Sequence, residues 1–176
     1  MSKQWIELNN IDIVFNNIAL LLVNNDTIAK CLYYNEEDAL SKSSPTQDQR
    51  FAMVKQLAPE CRIFNVSPSY LETKENRTEI RMYESAIMSE NAYIAEIEYC
   101  FDIISHQRTW NLKDGKRRAM VIANEILKTL NGADVGGVGY MRFFSEDNSQ
   151  LLHLIEINED FLGYEITGYL RLSDAE

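Results

Sequence analysis

The sequence predicts an α+β fold, a mostly antiparallel sheet with helices packed on one face. Three observations predict it. Between Asn91 and Ser105, the apolar residues Tyr93, Ala95, Ile97, Tyr99, Phe101 and Ile103 alternate with positions that include Glu96, Glu98 and Asp102. That period of two describes a half-buried strand with one dry face and one wet face. Soon after, Ala119, Ile122, Ala123, Ile126, Leu127 and Leu130 fall at helical spacing and form one apolar stripe. Three more apolar segments follow with short turns between them, which favours antiparallel pairing.

The elements follow in chain order. Ile11, Val14, Phe15, Ile18, Leu21 and Leu22 line one face of a helix over Ile11–Val23. Asn24 and Asn25 interrupt it, and Asp26 is placed to cap a second helix, Thr27–Tyr33. Asn35–Gln49 is polar and reads as a loop. A short helix is expected from Thr46 to about Gln56, with Phe51, Val54 and Leu57 inward and Pro59 ending it. Cys61–Tyr70 is extended, and residues 65–90 read as an arm or a long loop. After the alternating strand, Asn111 with Asp114 suggests a capping box for the helix that ends at Asn131–Gly132. Strands are expected over Val138–Ser145, Leu151–Ile157 and Tyr164–Leu172. The whole is one α+β domain over residues 1–176, with a helical part at 1–57 and a strand–helix–three-strand core at 91–172.

Charge and composition bound the function. The net charge is -10, from 17 basic and 27 acidic residues. Tight nucleic-acid binding needs a basic stripe that displaces counterions from phosphates, so the surface as a whole does not suit it. Cys31, Cys61 and Cys100 are widely spaced and odd in number, which reads as three reduced, buried thiols in an intracellular protein. Met1–Leu8 lacks the layout of a signal peptide, and the longest apolar run, Ile18–Val23, is far too short to span a membrane. No membrane partner is expected.

Chemical motifs are few. Gly132–Gly139 resembles a phosphate loop in composition, but its glycines leave a helix and open a strand, the reverse of the order that points a helix N-terminus at an anion. His106 and His153 lack a nucleophile or ligand partner at a recognisable local spacing. Pro59-Glu60 followed by Glu72-Thr73-Lys74 resembles the acid and acid-x-lysine spacing of a Mg²⁺-dependent nuclease superfamily, the enzyme reading that competes with a structural one. No catalytic, cofactor-binding or metal-ligating set is predicted, and no cofactor. The only basic knot is Lys113, Lys116, Arg117 and Arg118, at the helix start, where cations oppose the helix dipole. It is the candidate subunit or partner contact, set against a plain solvated helix end.

Several stretches carry a family resemblance. They are "YIAEIEYCFDIISH", "TWNLKDGKRRAMVIANEILKTLNG", "VGGVGYMRFF", "FLGYEITGYLRL" and the N-terminal "NIALLLVNNDTIAKCLYYN". Together the chain resembles the tail-completion and tail-terminator proteins of tailed bacteriophages, most closely those of large or crAss-like phages. The likeness spans most of the chain except roughly Ser41–Glu90. It implies a non-enzymatic virion protein, made in the host cytoplasm, that forms a ring of about six or twelve copies at the head–tail junction. Its implied neighbours are portal, connector and tail proteins, with DNA passing through the lumen without specific binding. A head-completion or tail-adaptor ring is the neighbouring alternative. An acidic lumen would repel phosphates and let DNA slide.

Overall fold

The computed structural model describes residues 11–66, 75–89, 94–135, 139–143 and 152–173. Trp5, Glu72-Thr73-Lys74, part of the glycine-rich exit and the end of the tail lie outside the described residues. The architecture is α+β. Helices α1 (Ile11–Asn24), α2 (Asp26–Tyr33) and α3 (Gln47–Val54) come first, then strands β1 (Ile63–Asn65), β2 (Thr78–Ser89) and β3 (Ile94–His106). Helix α4 (Arg118–Leu130) precedes β4 (Met141–Arg142), β5 (His153–Asn158) and β6 (Phe161–Ser173). The sheet order is β1-β2-β3-β6-β4, with β5 also on β6. Among the described residues only β1–β2 is parallel; the other pairings are antiparallel.

Alternation along β3 assigns its faces. Ile97, Tyr99, Phe101 and Ile103 are buried in one core with Ile80 and Met82 of β2, Tyr164, Ile166 and Leu170 of β6, and the stripes of α1, α2 and α4. In α4 the buried positions include Ala119, Ile122, Ala123, Ile126 and Leu130, as the stripe requires. Gly132, at φ +77, ends that helix in the left-handed region that glycine enters without steric penalty. Gly163 is required for a different reason. A Cβ there would lie 2.4 Å from the Ile103 carbonyl oxygen, so β3 and β6 approach only because position 163 has no side chain.

Three local expectations are corrected. The cap of α2 is Asn25 rather than Asp26: its side-chain oxygen accepts from the Ile28 N–H at 3.2 Å. Its amide donates to Thr129 of α4 at 2.9 Å, so one residue starts a helix and ties it to another. Asp26 is drawn instead into ion pairs with Lys30 and Arg50. Helix α3 begins as expected, with a Thr46–Gln49 capping box. It buries Arg50 and Met53, whereas Phe51 is 47% exposed and Leu57 fully so. Arg50 can be buried because it donates to the carbonyls of Val23 and Pro45 and to Asp26. Leu57, at φ +69, lies beyond the helix, which stops at Val54, well before Pro59.

The third correction concerns residues 65–90. Thr78–Ser89 is a full strand of the sheet, paired with β3 from Thr78↔Ser105 to Ser89↔Ala95. Its charged positions, Glu79 and Arg81, hid it. They alternate with Ile80 and Met82, and they satisfy each other: Arg81 pairs with Glu79 at 2.7 Å. The expected wet face of β3 is also dry at its centre, since Asp102 is 1% exposed.

Candidate functional site

The basic knot lies in the turn before α4, and the structure divides it. Asn111 and Arg117 form an antiparallel bridge. Inside it, the Leu112 N–H donates to Lys116 O and the Gly115 N–H to Leu112 O, both at 2.8 Å. Gly115 supplies the positive φ, +78, that this reversal needs. The chain is therefore committed to a turn, and α4 starts at Arg118, with Arg117 as an N-cap that lends no side-chain bond.

Arg118 is not a surface residue. It is fully buried, and its guanidinium donates to carbonyls on two sides. Nε donates to Thr109 O at 2.7 Å, Nη1 to Cys31 O and Tyr34 O, and Nη2 to Asn35 O and Glu36 O. The carbonyls of Cys31 through Glu36 are the C-terminal end of α2 and the chain just after it. A cation at the negative end of α2 is favourable, which offsets its poor position at the start of α4. Burial pushes the guanidinium pKa down, yet Arg remains charged because its ordinary value is so high. Arg118 thus staples α2 to α4 and is withdrawn from the candidate contact surface.

Lys113, Lys116 and Arg117 are exposed. Lys116 pairs with Asp114 at 2.6 Å, and this partner lowers the Asp114 pKa. Arg117 donates to the Tyr164 hydroxyl at 2.7 Å and has no carboxylate partner among the described residues. Tyr164 in turn stacks on Trp110, with ring centroids 5.9 Å apart. Among the described residues Lys113 makes no side-chain ion pair; its backbone N–H donates to Glu37 O at 2.8 Å.

Lys116 and Arg117 lead into a groove of about 710 Å³ along the outer side of α4. Its apolar lining comes from Leu40, Met120 and Val121, and Lys128 stands further along it, paired with Glu125 at 2.7 Å. A smaller hollow of about 240 Å³ adjoins it, shares Leu40, and includes Lys113. The groove is thus apolar with a basic rim, on a chain whose net charge is -10.

The reverse face of the sheet holds a second cluster that periodicity did not reveal. Arg81, Asp102, Glu165 and His153 stand in one row across β2, β3, β6 and β5. Asp102 Oδ1 is buried without a hydrogen-bond partner. Burial first, and then the negative Glu165, push the Asp102 carboxyl up to about 7, against the pull of Arg81 and Tyr83. The Tyr83 hydroxyl donates to Glu165 at 3.4 Å, and burial raises its own pKa. The only sequence signal for this row was a carboxylate set between Phe101 and Ile103; its neighbours follow from strand register, which the sequence does not display. Among the described residues, no group of three or more His, Cys, Asp or Glu side chains is placed to hold a metal ion.

The sheet ends in two unlike edges. On one side, β1 covers β2 only from Ile80 to Met82, and among the described residues no strand pairs with the outer edge beyond. Ile87 and Met88 there are 47% and 44% exposed. On the other side, β5 pairs with β6 alone, and its Leu154 is 60% exposed. No described helix is long and apolar enough to cross a membrane.

A family model described as YomW matches residues 25–168, from the cap of α2 to the middle of β6. No curated protein matches the chain.

Proposed function

Because the chain belongs to the YomW family, a phage-type family, we propose that it is a structural virion protein forming a ring at the head–tail junction of a tailed bacteriophage. One observation carries this reading. The two opposite edges of a single sheet are both open among the described residues, and both expose apolar side chains: Ile87 and Met88 at one, Leu154 and Ile157 at the other. Natural sheets normally protect their edges with charge, proline or a covering element. Unlike edges cannot pair as one self-complementary patch. Contacts between unlike surfaces run head to tail, and such contacts close into rings when the rotation permits.

The α+β fold agrees with the fold that the resemblance to tail-terminator proteins implies. The acidic surface suits a conduit through which DNA slides without binding. In this role the chain works by adhesion and is not an enzyme. Its partners are further copies of itself and the portal, connector and tail proteins above and below. Micrographs and light scattering of the purified chain test the assembly. Closed rings of about six or twelve copies support it. A monomer at every concentration, or Mg²⁺-dependent DNA cleavage abolished by Lys74→Ala, overturns it.

A further inference from the structure

The α4 groove and the β5–β6 hairpin carry opposite, unsatisfied charge. On the groove side, Arg117 and Lys113 are exposed and have no carboxylate partner among the described residues, beside the apolar Leu40, Met120 and Val121. On the hairpin side, Glu156, Glu159 and Asp160 are exposed, and among the described residues none of these carboxylates is in an ion pair. Between and beside them stand Leu154 and Ile157, 60% and 37% exposed. The hairpin is also held firmly. The Gln107 N–H donates to Asp160 O at 2.8 Å, the Gln107 side chain donates to Glu159 O, and Asn158 Oδ1 accepts from the backbone N–H of Asp160 and of Phe161.

We propose that the β5–β6 hairpin of one copy seats in the α4 groove of the next, with Glu156 and Glu159 on the basic rim and Leu154 or Ile157 on the apolar floor. The proposal rests on the ring reading and names its lateral contact. The occupant is a second copy because this chain itself carries the complementary segment: acidic, apolar, rigid and exposed. Groove and hairpin are different surfaces, so the contact is head to tail, as ring closure requires. Charge complementarity of this kind sets register and partner choice more than raw affinity.

Charge exchange tests it. In one variant the groove is reversed (Lys113→Glu with Arg117→Glu); in the other the hairpin is reversed (Glu156→Lys with Glu159→Lys). All four side chains are exposed, so the hairpin variant is expected to melt near wild type and the groove variant about 2–4 °C lower for its lost Arg117–Tyr164 hydrogen bond, which shows that both variants fold. A milder Arg117→Gln variant, expected to raise the concentration for half-assembly about tenfold, is the check if a reversed variant melts early. Measured by light scattering, each reversed variant alone is expected to be monomeric, and an equimolar mixture is expected to recover the ring with the two chains alternating. A ring that both variants keep, or a mixture that recovers nothing, overturns the contact and leaves the ring reading in place. A wild-type chain that is monomeric throughout overturns both.

Discussion

Replacing Asp102 by Asn should make the chain more stable at alkaline pH and remove a pH dependence that the wild type carries. Asp102 is 1% exposed, faces Glu165 across β3 and β6, and its carboxyl is pushed up to about 7. In the unfolded chain an Asp titrates near 3.9. The folded value is the raised one. The contribution to stability is therefore complete below about pH 4 and is lost as pH climbs toward 7, because the unfolded state ionises freely while the folded state resists. A shift of about three units corresponds to about 4 kcal/mol in full, of which about 2–3 kcal/mol falls between pH 5 and pH 8. Asn has nearly the same shape and cannot ionise. Urea unfolding of both chains at pH 5, 6.5 and 8 is the assay. The difference between them isolates this group, since every other titration is common to both. The expected result is that the variant gains on the wild type by about 2–3 kcal/mol from pH 5 to pH 8. Parallel stability curves would refute the reasoning, as would a variant that loses ground as pH rises.

Two further expectations concern stability. Arg118→Met should cost about 4 kcal/mol or more, because it orphans carbonyls at the end of α2 and at Thr109. Arg117→Ala should cost about 1 kcal/mol, one hydrogen bond to Tyr164. Denaturant midpoints for the pair check whether the knot divides as described. Gly163→Ala should lower stability by about 3 kcal/mol, since its methyl would displace the Ile103 carbonyl and spread β3 from β6. In a domain of this size that is a fall of about 6–12 °C in melting temperature.

The fold was legible where a face is simple. Alternation from Ala95 to Ile103 and the stripe from Ala119 to Leu130 are local patterns, and both became the elements they suggested. Reading failed where burial depends on a distant partner. Arg50, Arg81 and Arg118 look like surface residues, yet each is buried because carbonyls or a carboxylate receive its guanidinium. Those acceptors lie up to 87 residues away for Arg118, beyond any local window. The same long reach misplaced the start of α4. Asn111 and Asp114 imitate a capping box, but the Leu112–Lys116 turn and the staple of Arg118 set the boundary. Of the candidate contact, Lys113, Lys116 and Arg117 were legible as exposed charge. The groove beside them was not, because it forms only when Leu40 comes against α4.

Labelling tests most directly whether the chain sits at the head–tail joint of the virion. Gold-tagged antibody against this chain, applied to intact virions and imaged in the electron microscope, is predicted to mark the joint between head and tail. Virions without label, or label confined to the capsid shell or the tail tip, would contradict the account.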